Sequence, residues 1–185
     1  MKLAKVTSVY RSKLIYKAFK NWFNKDQIVL DIGCGTGIVL LELNKLSKFK
    51  KIIGCDIDNY LFVNVPFKKM GSINKLPFKN KEYDIAMFND VLHHTTFKNQ
   101  EKLLKEAIRV AKTILIFELK PTVIGKICDY VLNKIHNPNM NVPYTFRTRT
   151  GWEKLFTDQG IKYKAKNVKS PRWYPFTHVA FKLTK

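Results

Sequence analysis

The stretch Ile28-Val29-Leu30-Asp31-Ile32-Gly33-Cys34-Gly35-Thr36-Gly37 limits the folds open to this chain more than any other. A short apolar run ends in an acid and three alternating glycines, and Ile38-Val39-Leu40-Leu41-Glu42-Leu43 follows at once. That order reads as a buried parallel strand, a tight turn and a helix. The pattern then repeats. A second strand is expected over Lys51 to Cys55, ending at Asp56. A short third lies within Phe67 to Ile73, a fourth runs from Tyr83 to Phe88, and a fifth from Thr113 to Glu118. Leu103, Leu104, Ala107, Ile108 and Ala111 have helical spacing between the last two. Alternating strands and helices imply βαβ units, hence an α/β, Rossmann-like domain with helices on both faces of a mostly parallel sheet.

The flanks complete a single domain: an N-terminal helix in residues 1–25, a ligand-binding half over 28–118 and a substrate-side half over 119–185. Val6, Tyr10, Leu14, Ala18 and Trp22 recur at helical spacing, and such a stripe is expected to pack on the domain edge. A basic membrane-surface helix or a transit peptide is the other reading of that segment. After Pro121 a helix is expected over Val123 to Ile135, then an Asn- and Pro-rich loop from His136 to Pro143. A further helix over Trp152 to Gln159 precedes two strands, Ile161 to Val168 and Thr177 to Leu183. Cys34, Cys55 and Cys128 form no CxxC pair, which argues against a disulfide framework or zinc site and for a reducing, cytoplasmic setting. No run is long and apolar enough to span a bilayer. The net charge of +20 would suit an anionic partner such as nucleic acid or an acidic membrane. The lysines are scattered, however, and Asn and Ile are abundant, so compositional bias is the favoured explanation.

Ligands in open parallel sheets bind beyond the carboxyl ends of the strands, where the turn after strand one sits. The spacing G-x-G-x-G at Gly33, Gly35 and Gly37 differs from the G-x-G-x-x-G expected for dinucleotides. Asp31 beside it would repel a pyrophosphate and attract an ammonium. Asp56, ending the second strand, is placed to accept hydrogen bonds from ribose hydroxyls. S-adenosylmethionine, cationic and free of phosphate, satisfies both acids.

These residues, with Gly54-Cys55-Asp56-Ile57-Asp58, Leu76-Pro77-Phe78, Tyr83-Asp84-Ile85-Ala86 and Val91-Leu92-His93-His94, resemble the class I S-adenosylmethionine-dependent methyltransferases, in particular the methyltransferase type 11 group. The resemblance covers about residues 28 to 118. It implies a seven-stranded sheet with the last strand antiparallel. It also implies that Asp31, Gly33, Cys34, Gly35, Gly37 and Asn89 line the methionyl end of the cofactor, with Asp56 on the ribose and Ile57, Ser72 and Ile73 around the adenine. Three departures stand out: Ser72 replaces an expected acid, Asp56 to Gly71 leaves room for only a reduced helix, and the usual Lys-Pro-Gly-Gly turn before strand five is absent.

Methyl transfer from a sulfonium asks mainly for alignment, with a base only where the acceptor arrives protonated. His94 and His93, after strand four, are the candidate bases. Adjacent histidines lack the separated further ligands a zinc ion needs, so no metal is expected. Tyr144, Arg147 and Arg149, with Phe146, lie where the family builds its substrate lid and suggest an anionic or aromatic small molecule. The leading expectation is methylation of a small-molecule or lipid-like acceptor. An RNA methyltransferase docking through its charge, and a non-catalytic cofactor-binding subunit of a partner, remain open.

Overall fold

The computed structural model describes residues 2–136, 142–171 and 173–184. Most of the expected loop between His136 and Pro143 therefore lies outside the described residues. The strands are β1 (Ile28–Ile32), β2 (Lys51–Asp56), β3 (Phe67–Lys69), β4 (Tyr83–Asn89), β5 (Ala111–Leu119), β6 (Lys162–Val168) and β7 (His178–Thr184). The helices are α1 (Lys2–Phe19), α2 (Ile38–Ser47), α3 (Phe97–Val110), α4 (Val123–His136) and α5 (Arg149–Asp158). One sheet holds all seven strands in the order β3-β2-β1-β4-β5-β7-β6. β7 runs antiparallel to both its neighbours, and the other pairings are parallel, as the family resemblance implied.

Strand order reverses between β1 and β4, so the chain leaves these two adjacent strands in opposite directions and opens a crevice at their carboxyl ends. Alternation along the strands feeds two cores. Leu30, Ile32, Ala86 and Phe88 face α3 and α5, where Leu104, Ala107, Trp152 and Phe156 bury. Val29, Ile85, Met87 and Phe117 face α1 and α2, meeting Ile15, Phe19, Leu40 and Leu43. The strands are thus covered on both sides, the reason their sequences are continuous apolar runs rather than alternating ones.

Several local expectations are corrected. α1 packs on the domain through the expected Leu14 and Ala18 together with Ile15 and Phe19, with Tyr10 and, past the helix end, Trp22 against the same core, while Val6 is exposed. Third strand β3 is only three residues long. No helix forms between β2 and β3; residues 57–66 instead fold back over the glycine turn, with the Phe62 N–H donating to the Thr36 carbonyl at 2.9 Å. The missing turn before β5 has a substitute. α3 passes directly into the strand, and Lys81 clamps the junction by donating its Nζ to the carbonyls of Ile108 and Ala111 at 2.7 and 2.9 Å.

Candidate functional site

The crevice at the β1/β4 switch is a cavity of about 610 Å³. The ends of β1, β2 and β4, the loop over 57–66, the start of α1 and the inner side of α4 all contribute to its wall. Gly33 and Gly35 both take positive φ, 76° and 50°. At Gly33 the conformation is enforced by packing, since a Cβ would stand 2.2 Å from Cγ2 of Val91. At Gly35 a Cβ would meet no protein atom within 4 Å, so the bare backbone faces open space.

Asp31 is 1% exposed and accepts one hydrogen bond, from Nδ2 of Asn89 at 2.8 Å. Among the described residues no basic side chain forms an ion pair with it. Burial pushes its carboxyl up to about 7, against the opposing pull of Asn89 and Arg11. Asp56 is differently placed: its Oδ2 accepts the Gly35 N–H at 2.9 Å and its Oδ1 the Ile57 N–H at 2.7 Å. Burial raises its pKa too, and those two backbone donors offset part of the rise. The thiols of Cys34, in the cavity wall, and Cys55, in the core behind it, are pushed up by burial and by the nearby carboxylates, which leaves them unreactive.

A second polar group lies at the end of β4. Glu118, 1% exposed at the end of β5, accepts the N–H groups of Val91 and Leu92 through Oε1 at 2.9 and 2.7 Å. Its Oε2 is 2.7 Å from Nδ1 of His93. The other nitrogen of that ring lies 3.3 Å from Oδ2 of Asp129 without the alignment of a hydrogen bond. Although burial opposes protonation, the two carboxylates outweigh it and push His93 up to about 10. His93 is therefore a buried imidazolium between two acids, stacked on Phe146. His94 reaches the cavity wall. Burial, reinforced by the neighbouring His93 charge, lowers its pKa, so its ring is neutral at pH 7. Asn133 donates its Nδ2 to Nε2 of His94 at 3.3 Å and to Asp129 at 3.2 Å. His93, His94 and Asp129 present ligand atoms within 4.8 Å of one another, the described set with metal-holding composition, but the set is closed on itself by these internal charges.

The structure brings Asp31, Gly33, Cys34, Gly35, Asp56, Ile57, Ile73, Asn89 and His94 together on one cavity wall. Gly37 stands behind that wall at the start of α2. Ser72 is outside it: its hydroxyl accepts from the Asn74 N–H in an exposed turn, and Met70 lines the cavity nearby instead. Tyr144 lies beside His94, with ring centroids 6.4 Å apart. Arg147 and Arg149 do not line the cavity, whereas Arg11 does. Arg147 donates its Nε to Gln100 at 2.8 Å and lies over the rings of Phe97 and Trp152, while Arg149 pairs with Glu153. Four residues that sequence reasoning passed over are central here: Glu118, Asp129, Asn133 and buried Gln100, which donates to the Leu92 and Thr145 carbonyls. An acid closing a wholly apolar strand, as in Ile116-Phe117-Glu118, was the one available signal.

A sheet of this order, with a glycine turn and two acids at its switch point, defines the class I methyltransferase architecture. Residues 30–115 match the family model described as a methyltransferase domain. Among solved structures, the chain is similar to S-adenosylmethionine-dependent methyltransferases from Aquifex aeolicus (20% identity over 91% of this chain and 88% of that one, TM-score 0.66) and Archaeoglobus fulgidus (18%, 94% and 94%, 0.67). It is also similar to magnesium protoporphyrin IX methyltransferase from Synechocystis PCC 6803 with bound SAH (17%, 98% and 86%, 0.64). No curated protein matches. The fold is thus that of the class I S-adenosylmethionine-dependent methyltransferases, the methyltransferase-domain match lies in its cofactor-binding half, and S-adenosylmethionine is the cofactor of that family.

Proposed function

We propose that this protein binds S-adenosylmethionine at the glycine turn and transfers its methyl group to a small-molecule or lipid-like acceptor that enters beside His94. The observation that carries the reading is Asp31: a buried carboxylate with one hydrogen bond and no ion-pair partner among the described residues, opening on a cavity. A buried acid left in that state is costly, and a cation placed against it relieves the cost. The cofactor's amino group is such a cation. The donor set fits the rest of the molecule as well. Gly35 offers unobstructed backbone, Asp56 keeps acceptor capacity beyond its two backbone bonds, and Ile57, Met70 and Ile73 supply apolar wall for a base.

When bound, the cofactor supplies an electrophilic methyl carbon whose leaving group is a neutral thioether. The chain's own residues then have three tasks. Asp31 and Asp56 fix the cofactor's two ends, and Asn89 fixes Asp31. The loop carrying Tyr60, Leu61 and Phe62 narrows the mouth and limits water. His94, neutral, lines the cavity, and its Nε2 would take an acceptor's proton only by exchanging it for the Asn133 N–H it now accepts, while His93 and Glu118 hold its turn in place. His93 thus serves positioning rather than proton transfer. With Arg147 and Arg149 withdrawn into helix packing, the charges left around the acceptor end are paired, Asp90 with Arg11 and His178 and Asp129 with His93, which favours an uncharged acceptor. Calorimetry with S-adenosylmethionine on wild type and Asp56→Ala tests the cofactor half. A loss of at least tenfold in affinity is expected, and an unchanged value refutes the placement. Mass spectrometry of a metabolite and lipid extract incubated with labelled cofactor tests the acceptor half.

A further inference from the structure

The outer side of α4 is the least expected surface of the molecule. At 3.6 residues per turn, Val123, Ile124, Ile127, Val131 and Ile135 fall on one side of this 14-residue helix, with Tyr130 at its margin. All six are exposed, from 46% at Val131 to 74% at Val123. The helix has an ordinary packed side as well: Cys128 and Leu132 join the core with α1, and Asp129 and Asn133 line the cavity. The exposed stripe is thus a second face, apolar apart from Lys134 in its last turn and about 20 Å long at 1.5 Å per residue. Contiguous apolar surface of that kind marks a docking site.

Charge selects the occupant. The one acid of α4, Asp129, turns inward to the histidines, so the outer side carries no carboxylate. Lys120 and exposed Lys126 flank its first turns, on a chain of net charge +20. A second copy of the chain would bring the same positive field against itself. A folded nucleic acid offers phosphate but no apolar depth for five aliphatic side chains. An anionic bilayer offers both, and a helix with aliphatic residues on one side and lysines at its edge is the form that lies in a lipid interface.

We infer that α4 docks this protein on anionic membrane surfaces, its outer side sunk among the lipid headgroups and its inner side forming one wall of the cavity. Together with the function proposed above, on which this last step rests, the acceptor is then a membrane-borne molecule that enters along α4. The test is sedimentation of the full chain with vesicles of phosphatidylcholine alone or mixed with phosphatidylglycerol, at low and high salt. Binding to the mixed vesicles is expected, falling steeply with salt. The double variant Ile124→Glu/Ile127→Glu should lose on the order of a hundredfold in partitioning, about tenfold per aliphatic side chain. Its melting temperature and its affinity for S-adenosylmethionine should be unchanged, since neither residue touches the core or the cavity. No sedimentation with mixed vesicles, equal sedimentation with neutral ones, or full binding by the double variant overturns the proposal. So does a dimer in light scattering that the same variant disperses. Cofactor affinity measured in parallel shows separately whether the methyltransferase reading holds.

Discussion

Titrating Asp31 is the sharpest way to test the cofactor site, because the free and bound proteins place opposite demands on one buried carboxyl. In the free protein burial holds its pKa at about 7. A bound ammonium needs the carboxylate, so below pH 7 the protein must give up a proton in order to bind. Each pH unit below 7 then weakens binding by about 1.4 kcal/mol, or roughly tenfold. Affinity should rise through pH 5.5, 6.5 and 7.5, then fall once the cofactor's own amino group, near 8, loses its proton. Calorimetry in two buffers of different ionisation enthalpy counts the proton directly: about one released at pH 6, turning to a net uptake of about half a proton at pH 8, where the cofactor's amino group is itself half deprotonated. Asp31→Asn should abolish that proton release and weaken binding by about 2–5 kcal/mol, the cost of removing one partner from a buried charge pair. The same variant should stabilise the free protein. The folded pKa lies above the unfolded value of 3.8, so stability is lost as pH rises between about 4 and 7, on the order of 4 kcal/mol in all. Free Asp31→Asn should therefore melt on the order of 10 °C higher than wild type at pH 8 and alike at pH 4. A pH-independent affinity with no proton released, or a variant no more stable at pH 8, would refute the reasoning.

Replacing Glu118 by Ala leaves the N–H groups of Val91 and Leu92 and the Nδ1 of His93 without their acceptor. Urea unfolding should show a loss of roughly 3–5 kcal/mol, and Glu118→Gln should recover part of it. The two glycines of the turn should separate fold from function. Gly33→Ala drives a Cβ into Val91 and should give unfolded or insoluble protein, whereas Gly35→Ala meets no protein atom and bears only the strain of its positive φ, about 1–2 kcal/mol, so it should fold and melt several degrees below wild type. Gly35→Ala should still lose cofactor affinity at least tenfold by calorimetry, because its methyl group points into the space assigned to the ligand. Arg147→Lys should lower the melting temperature without changing cofactor affinity, since that guanidinium ties Gln100 to Trp152 and Phe97 away from the cavity.

The strands, the glycine turn and the two acids at the ends of β1 and β2 were legible in the sequence because each depends on residues close together in the chain. A buried strand needs only a short apolar run, and a tight turn needs glycine at fixed offsets. The acids stand within a few residues of those signals, which is why Asp31 and Asp56 could be named before any contact was known. The acceptor corner had no such local mark. Glu118 meets His93 across 25 residues, and Asn133 meets His94 across 39. Only the pairing of β4 with β5, and the return of α4 over the cavity, put them within reach of one another. Arginine misled for the same reason: its chemistry was read correctly, but packing against Phe97, Trp152 and Glu153 decided where Arg147 and Arg149 point. Local sequence thus determined the turn and its charge, because backbone conformation and side-chain ionisation are short-range properties. Tertiary structure decided which histidine reaches the cavity and which is buried as a cation, because desolvation and ion pairing depend on neighbours that only the folded sheet supplies.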